Sequence, residues 1–162
     1  MPRIVLAGQA HHVIQRGNNR QAIFFTDDDR RVFLDKLGEA LGREGCALHA
    51  YVLMTNHVHL LVTPERDEGI GRLLQSLGRS YVGHVNRAYG RTGTLWEGRF
   101  KSTIVDAEDY VMACYRYIEA NPLRARMVER ADSEVMAPGI PRLWRPRFRC
   151  DGAQHSELMA PR

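Results

Sequence analysis

Along the chain, stretches in which apolar and polar residues alternate give way repeatedly to stretches in which apolar residues recur every three to four positions. The first period belongs to a strand and the second to a helix. Residues 11–16 read as a first strand, closed by the turn-forming Gly17-Asn18-Asn19-Arg20. Thr26 then offers an N-cap that Asp29 can answer, and Phe33, Leu34, Leu37, Ala40 and Leu41 follow at helical spacing until Gly42 and Gly45. Residues 48–54 make a second strand, which Thr55 and Asn56 turn into a third beginning at His57. Ile70, Leu73, Leu74, Leu77, Tyr81 and Val85 form the apolar stripe of a second helix, leaving Arg72, Arg79 and Arg87 on its more exposed faces. Residues 96–105 read as a fourth strand, with Arg99 and Lys101 on one side and Phe100 on the other. Asp106 caps a third helix running to about residue 120.

Strand, helix, strand, strand, helix, strand is the order of a ferredoxin-like split βαβ fold, of the α+β class, in which helices cover one face of an antiparallel sheet. Helices on one face leave the other open. In the third strand His57 and His59 share a face, while Val58, Leu60 and Val62 line the opposite one. The apolar side is expected beneath the helices and the imidazoles on the open side. There they can chelate a cation, or stand as ordinary polar residues on a half-solvated strand.

Composition limits the wider picture. A chain of 162 residues, 44% hydrophobic with a mean hydropathy of −0.38, suits one soluble domain with a real core. No run approaches the ~20 apolar residues of a membrane span, and the first residues turn polar too soon for a secretory signal, so a cytoplasmic location is expected. Cys46, Cys114 and Cys150 are odd in number and widely spaced, which suits small buried hydrophobes and neither a disulfide framework nor a zinc cluster.

The net charge of +4 is unevenly placed, and lysine occurs only at Lys36 and Lys101. The first acid is Asp27, so the opening segment with Arg3, Arg16 and Arg20 is wholly cationic. Between residues 69 and 105, Arg72, Arg79, Arg87, Arg91, Arg99 and Lys101 face Glu97 alone. A GC-rich genome accounts for arginine in place of lysine, but less readily for such clustering. Blocks of this kind attract a polyanion, and guanidinium forks grip phosphate oxygens in pairs.

On the third helix, Tyr117 and Asn121 stand four residues apart on one face, Tyr110 lies on the same stripe two turns earlier, and Tyr115 points away. A tyrosine hydroxyl near a histidine-bound cation can act as a nucleophile toward phosphorus, because the cation favours the phenolate and polarises the phosphodiester. An Asn amide oxygen one turn away can complete a mixed nitrogen and oxygen shell. Tyrosines at helical spacing also serve as core residues, and Asn before Pro122 also serves as a helix stop.

Four segments in order carry a resemblance: His12-Val13-Ile14-Gln15-Arg16-Gly17-Asn18-Asn19-Arg20; Tyr51-Val52-Leu53-Met54-Thr55-Asn56-His57-Val58-His59-Leu60-Leu61-Val62; Trp96-Glu97-Gly98-Arg99-Phe100-Lys101-Ser102; and Tyr115-Arg116-Tyr117-Ile118-Glu119-Ala120-Asn121-Pro122-Leu123-Arg124-Ala125. Together they resemble the single-tyrosine transposases of the HUH nuclease superfamily, in particular the REP-associated tyrosine transposases. The resemblance implies a DNA transposase and single-strand endonuclease that cuts and rejoins DNA beside palindromic hairpins through a 5′-phosphotyrosine. It implies Mg²⁺ or Mn²⁺ bound by His57, His59 and Asn121, with Tyr117 as nucleophile. Candidate DNA contacts are Arg16, Asn18, Asn19, Arg20, Arg79, Arg87, Arg99 and Lys101. The implied partner is hairpin-bearing single-stranded DNA and no membrane, the protein acting as a monomer or a homodimer. No general acid is assigned, since no spacing ties His12 or His84 to the site.

The resemblance covers about residues 10–131, and residues 1–132 are expected to form the nuclease domain. Residues 133–162 carry four prolines, five arginines and no strand or helix period, and read as an irregular basic tail. That departure keeps a second reading open, a catalytically silent or domesticated binder of structured single-stranded DNA or RNA.

Overall fold

A computed structural model of the chain describes residues 5–105. The expected third helix, with Tyr110, Tyr115, Tyr117 and Asn121, and the 133–162 tail lie outside the described residues.

The described elements are β1 (Ala10–Arg16), α1 (Asp27–Glu44), β2 (Cys46–Met54), β3 (His57–Pro64), α2 (Gly69–Ala88) and β4 (Lys101–Val105), with a short 3-10 turn at Asn18–Arg20. The sheet is antiparallel throughout, in the order β2-β3-β1-β4. Each strand-helix-strand unit therefore spans a strand inserted between its two ends, which is the expected split βαβ arrangement.

Local chemistry explains the element boundaries. The backbone N–H of Asp29 donates to Thr26 Oγ1, and the Asp29 carboxylate accepts from the N–H of Thr26, so the anticipated capping box starts α1. Gly42 is carried within the helix, and Gly45, at φ 62°, ends it in the left-handed conformation that glycine adopts without penalty. Thr55 and Asn56 form the two-residue hairpin turn, Met54 pairing with His57. A bulge at His49 shifts the β2 register between Leu48 and Ala50.

Both helices pack on one face of the sheet. Val13, Val58, Leu60 and Val62 from the strands meet Phe33, Leu37, Leu41, Leu73, Leu77 and Tyr81 in the main core. Tyr81 is fully buried, packs edge-on against Phe33 and donates its hydroxyl to the Ile23 carbonyl at 2.7 Å.

Two expectations need correction. The fourth strand starts at Lys101 and not at Trp96: Gly98 adopts φ 62°, and Trp96 makes only an isolated bridge to Gly17, so the strand period is broken before Phe100. The face opposite the helices is not open along its length. Leu61, next after His59 on that side, gathers with Ala50, Val52, Met54 and Val105 into a second buried cluster. His59 is itself only 3% exposed.

Candidate metal centre and nucleic-acid interface

The register of the sheet decides what stands beside the histidine pair. His57 lies opposite Arg16 and Met54, His59 opposite Ile14 and Val52, and Leu61 opposite His12 and Ala50. Directly paired residues share a face, so His12, Arg16, His57 and His59 project to the same side. On the next strand Lys101 pairs with Ile14 and joins them. The face is thus graded: apolar toward Leu61 and Val105, polar toward His57, Arg16 and Lys101.

Each imidazole of the pair is engaged through Nδ1. His57 Nδ1 is 2.6 Å from Asn56 Oδ1, and His59 Nδ1 is 2.9 Å from His12 Nε2. The rings of His57 and His59 stand edge to face with centroids 4.9 Å apart. A cation held by His57 would be held through Nε2, because Nδ1 faces the Asn56 amide oxygen, the arrangement usual for metal-bound histidine.

The electrostatics keep the rings neutral, the form that ligates. Burial holds the His59 imidazole down at about 3, helped by His12, His57 and Arg16. His57 is lowered by burial and by Arg16, and His12 by burial. The donor set is imidazole without thiolate, and burial raises the Cys46 thiol to about 11. Among the described residues no group of three or more His, Cys, Asp or Glu could hold a metal ion. His57 and His59 could supply two ligands to a cation that keeps oxygen ligands and open positions for phosphate.

The candidate DNA contacts divide into two groups. Arg16, Asn18, Asn19, Arg20, Arg99 and Lys101 are exposed, and all but Lys101 lie in or beside the turns that follow β1 and precede β4. Glu97 N–H donates to the Arg16 carbonyl and Asn18 N–H to the Leu95 carbonyl, joining these two turns. Arg79 and Arg87 are exposed on α2, in the helix layer across the sheet from the histidines, and are not brought to the site.

Gly17 is required by close approach and not by its φ of −69°: a Cβ there would drive into the Gln21 carbonyl and stand 2.7 Å from Ile23 Cγ2. Asn19 and Arg20 take positive φ, 50° and 58°, a conformation Asn tolerates and Arg seldom adopts. Sequence reasoning missed His12 and Asn56. Asn56 was visible only as a turn residue, and His12 reaches His59 across 47 residues through the register. His84, left unassigned, points elsewhere, 3.3 Å from Asp29 in the helix layer.

The family model for IS200-like transposases matches residues 6–121. The chain belongs to that family. It is a DNA-cleaving transposase, as the four-segment resemblance implied. No curated protein matches at a significant level. Among solved structures, that of a REP-associated tyrosine transposase bound to a REP hairpin is similar with a TM-score of 0.68 and 16% identity, over 81% of this chain and 76% of that one. A transposase from Deinococcus radiodurans gives a TM-score of 0.51 and 21% identity, over 74% of this chain and 95% of that one. At these identities the likenesses carry the fold, and the transposase fold agrees with the sheet order described above. No helix among the described residues is long and apolar enough to cross a membrane.

Proposed function

We propose that this transposase is a metal-dependent, single-tyrosine enzyme that cuts single-stranded DNA beside a hairpin and rejoins it. The observation that carries the reading is the His57/His59 pair, neutral and anchored through Nδ1 on a sheet face whose margin bears Arg16, Lys101 and the 17–20 turn. Family membership and the hairpin bound by the similar REP-associated transposase support the substrate class.

His57 and His59, with Asn121, would hold Mg²⁺ or Mn²⁺. The ion would supply Lewis-acid polarisation of the scissile phosphodiester. Tyr117 Oη attacks phosphorus, its proton passing to solvent; the bond from phosphorus to the 3′-oxygen breaks, and that oxygen takes a proton as it leaves. The products are a 5′-phosphotyrosyl link and a free 3′-hydroxyl. Attack of a DNA 3′-hydroxyl on that link reverses the step and rejoins strands, since the ester is exchanged and not hydrolysed. Arg16, Asn18, Asn19, Arg20, Arg99 and Lys101 hold the backbone, and residues 133–162 are an appendage to a nuclease domain of residues 1–132, working in the cytoplasm.

The test is incubation with hairpin-bearing single strands and Mn²⁺, read on a denaturing gel. A covalent protein–DNA band is expected for the wild type and none for Tyr117→Phe. Hairpin binding with no band under any divalent cation would overturn the enzyme reading in favour of a silent hairpin-binding protein.

A further inference from the structure

The hairpin turn of the sheet places Asn56 between two things that have no local reason to be connected. Its Oδ1 lies 2.6 Å from His57 Nδ1, and its Nδ2 donates to the backbone carbonyl of Arg20 at 3.1 Å. The carbonyl of Arg20 can only accept, so the amide nitrogen must face it and the amide oxygen must face His57. An amide oxygen likewise can only accept. His57 Nδ1 therefore carries the proton, and Nε2 carries the lone pair.

The clamp is reinforced from both sides. Gly17 N–H donates to the Asn56 carbonyl and Ile23 N–H to the Thr55 carbonyl, both at 2.8 Å, so the segment that follows β1 grips the tip of the β2–β3 hairpin. Arg20 itself is exposed, in the left-handed conformation that turns its carbonyl inward.

We propose that Asn56 is a positioning residue that sets the tautomer of His57 and ties it to the exposed 17–20 turn, so that nucleic acid engaging Asn18, Asn19 and Arg20 is coupled to the metal ligand through one side-chain amide. This rests on the metal reading of His57 given above. Free histidine favours the opposite tautomer, with the proton on Nε2, where it would block coordination. Without the amide oxygen, binding a cation requires the proton to move first. Groups that orient a metal-bound histidine from behind typically affect metal affinity by roughly 10- to 100-fold.

The experiment uses the full chain labelled with ¹⁵N-histidine, free of metal, and reads the ring tautomers from long-range ¹H–¹⁵N couplings at neutral pH. His57, assigned by its disappearance in His57→Ala, should be the Nδ1–H form in the wild type. Asn56→Ala should lose that preference and weaken Mn²⁺ binding, followed by electron paramagnetic resonance, by roughly 10- to 100-fold. Asn56→Asp keeps an acceptor toward His57 but loses the donor to Arg20. It should restore the tautomer and most of the Mn²⁺ affinity, yet abolish the tightening of Mn²⁺ binding produced by a hairpin oligonucleotide in the wild type.

An Nε2–H His57 in the wild type would overturn the proposal without any variant being needed. So would Asn56→Ala with an unchanged tautomer and unchanged Mn²⁺ affinity. Because the tautomer is read without metal, a wild-type protein that binds no Mn²⁺ tells against the metal reading, whereas the wrong tautomer tells against Asn56.

Discussion

The two faces of the sheet are built from the same strands and differ in what they can tolerate. Val13, Val58, Leu60 and Val62 on the helix side are at most 1% exposed and interlock with α1 and α2, so every atom there serves packing. The opposite side carries His12, His57 and His59, with Arg16 and Lys101 at its margin, beside the apolar Val52, Met54, Leu61 and Val105. Its polar groups are satisfied by one another and by turn residues: Asn56 for His57 and His12 for His59. One face gives stability through burial; the other stakes stability on hydrogen bonds and keeps its imidazoles neutral. Among the described residues His11 and Gln15 of β1 are buried polar groups on the helix side, and α1 adds the buried Asp29. Burial pushes its carboxyl up, but hydrogen bonds from Tyr89, from the N–H groups of Phe25 and Thr26 and from His84 outweigh that and hold it below its ordinary value. This residue caps α1 and fastens the end of α2 to it.

The largest effects should separate the faces completely. His57→Ala should abolish strand cleavage while thermal unfolding stays near that of the wild type, since the ring is half-buried and at the polar end. Leu60→Ala, from a fully buried position, should cost about 2–5 kcal/mol in chemical denaturation and leave cleavage per folded molecule intact. Loss of folding in the first variant, or loss of cleavage in a fully folded second, would break the division.

Acid should act on the histidine face first. The His59 imidazole is depressed to about 3 from an ordinary 6.5 by burial, His12, His57 and Arg16, and His12 and His57 are lowered as well. A group with a lowered folded-state pKa binds its proton more readily when unfolded. The stability it contributes is therefore complete above pH 6.5 and declines as pH falls from there toward 3. Asp29, lowered from 3.8, adds its own loss only below that value. Denaturant midpoints measured on metal-free protein should fall steadily between pH 7 and 4.5, a window chosen to lie above most of the Asp29 titration. A flat profile there would mean that the histidines are solvated.

Gly17→Ala sharpens the comparison from the turn. Its added Cβ collides with the Gln21 carbonyl, a backbone atom that cannot rotate away, so a loss of about 1–3 kcal/mol is expected. Hairpin affinity should fall with it, by gel shift, because the 17–20 turn must open. Retained affinity would separate the turn from DNA binding.

The smallest effects concern the bases. Arg16→Ala and Lys101→Ala, on the histidine side, should each reduce the dependence of hairpin affinity on salt by about one ion. Arg79→Ala and Arg87→Ala, on α2, should leave it unchanged. The reverse ranking would place the DNA over the helices.

The alternation of Val58, Leu60 and Val62 with His57 and His59 was enough to separate the faces, and the Thr26/Asp29 spacing and the Thr55-Asn56 turn were enough to place α1 and the hairpin. Those features are local: a period, a cap and a turn are each written in adjacent residues. Family membership was legible for the same reason, in four contiguous segments. What the sequence did not disclose depends on residues far apart in it. His12 meets His59 across 47 positions, Arg20 meets Asn56 across 36, and Tyr89 meets Asp29 across 60. The closed character of the histidine face also escaped, because the cluster around Leu61 draws its members from β2 and β4 as well as β3. The orientation of the Asn56 amide is such a case: the sequence put an asparagine beside His57, and the Arg20 carbonyl, delivered by the packing of one turn on another, decided that its oxygen faces the His57 ring.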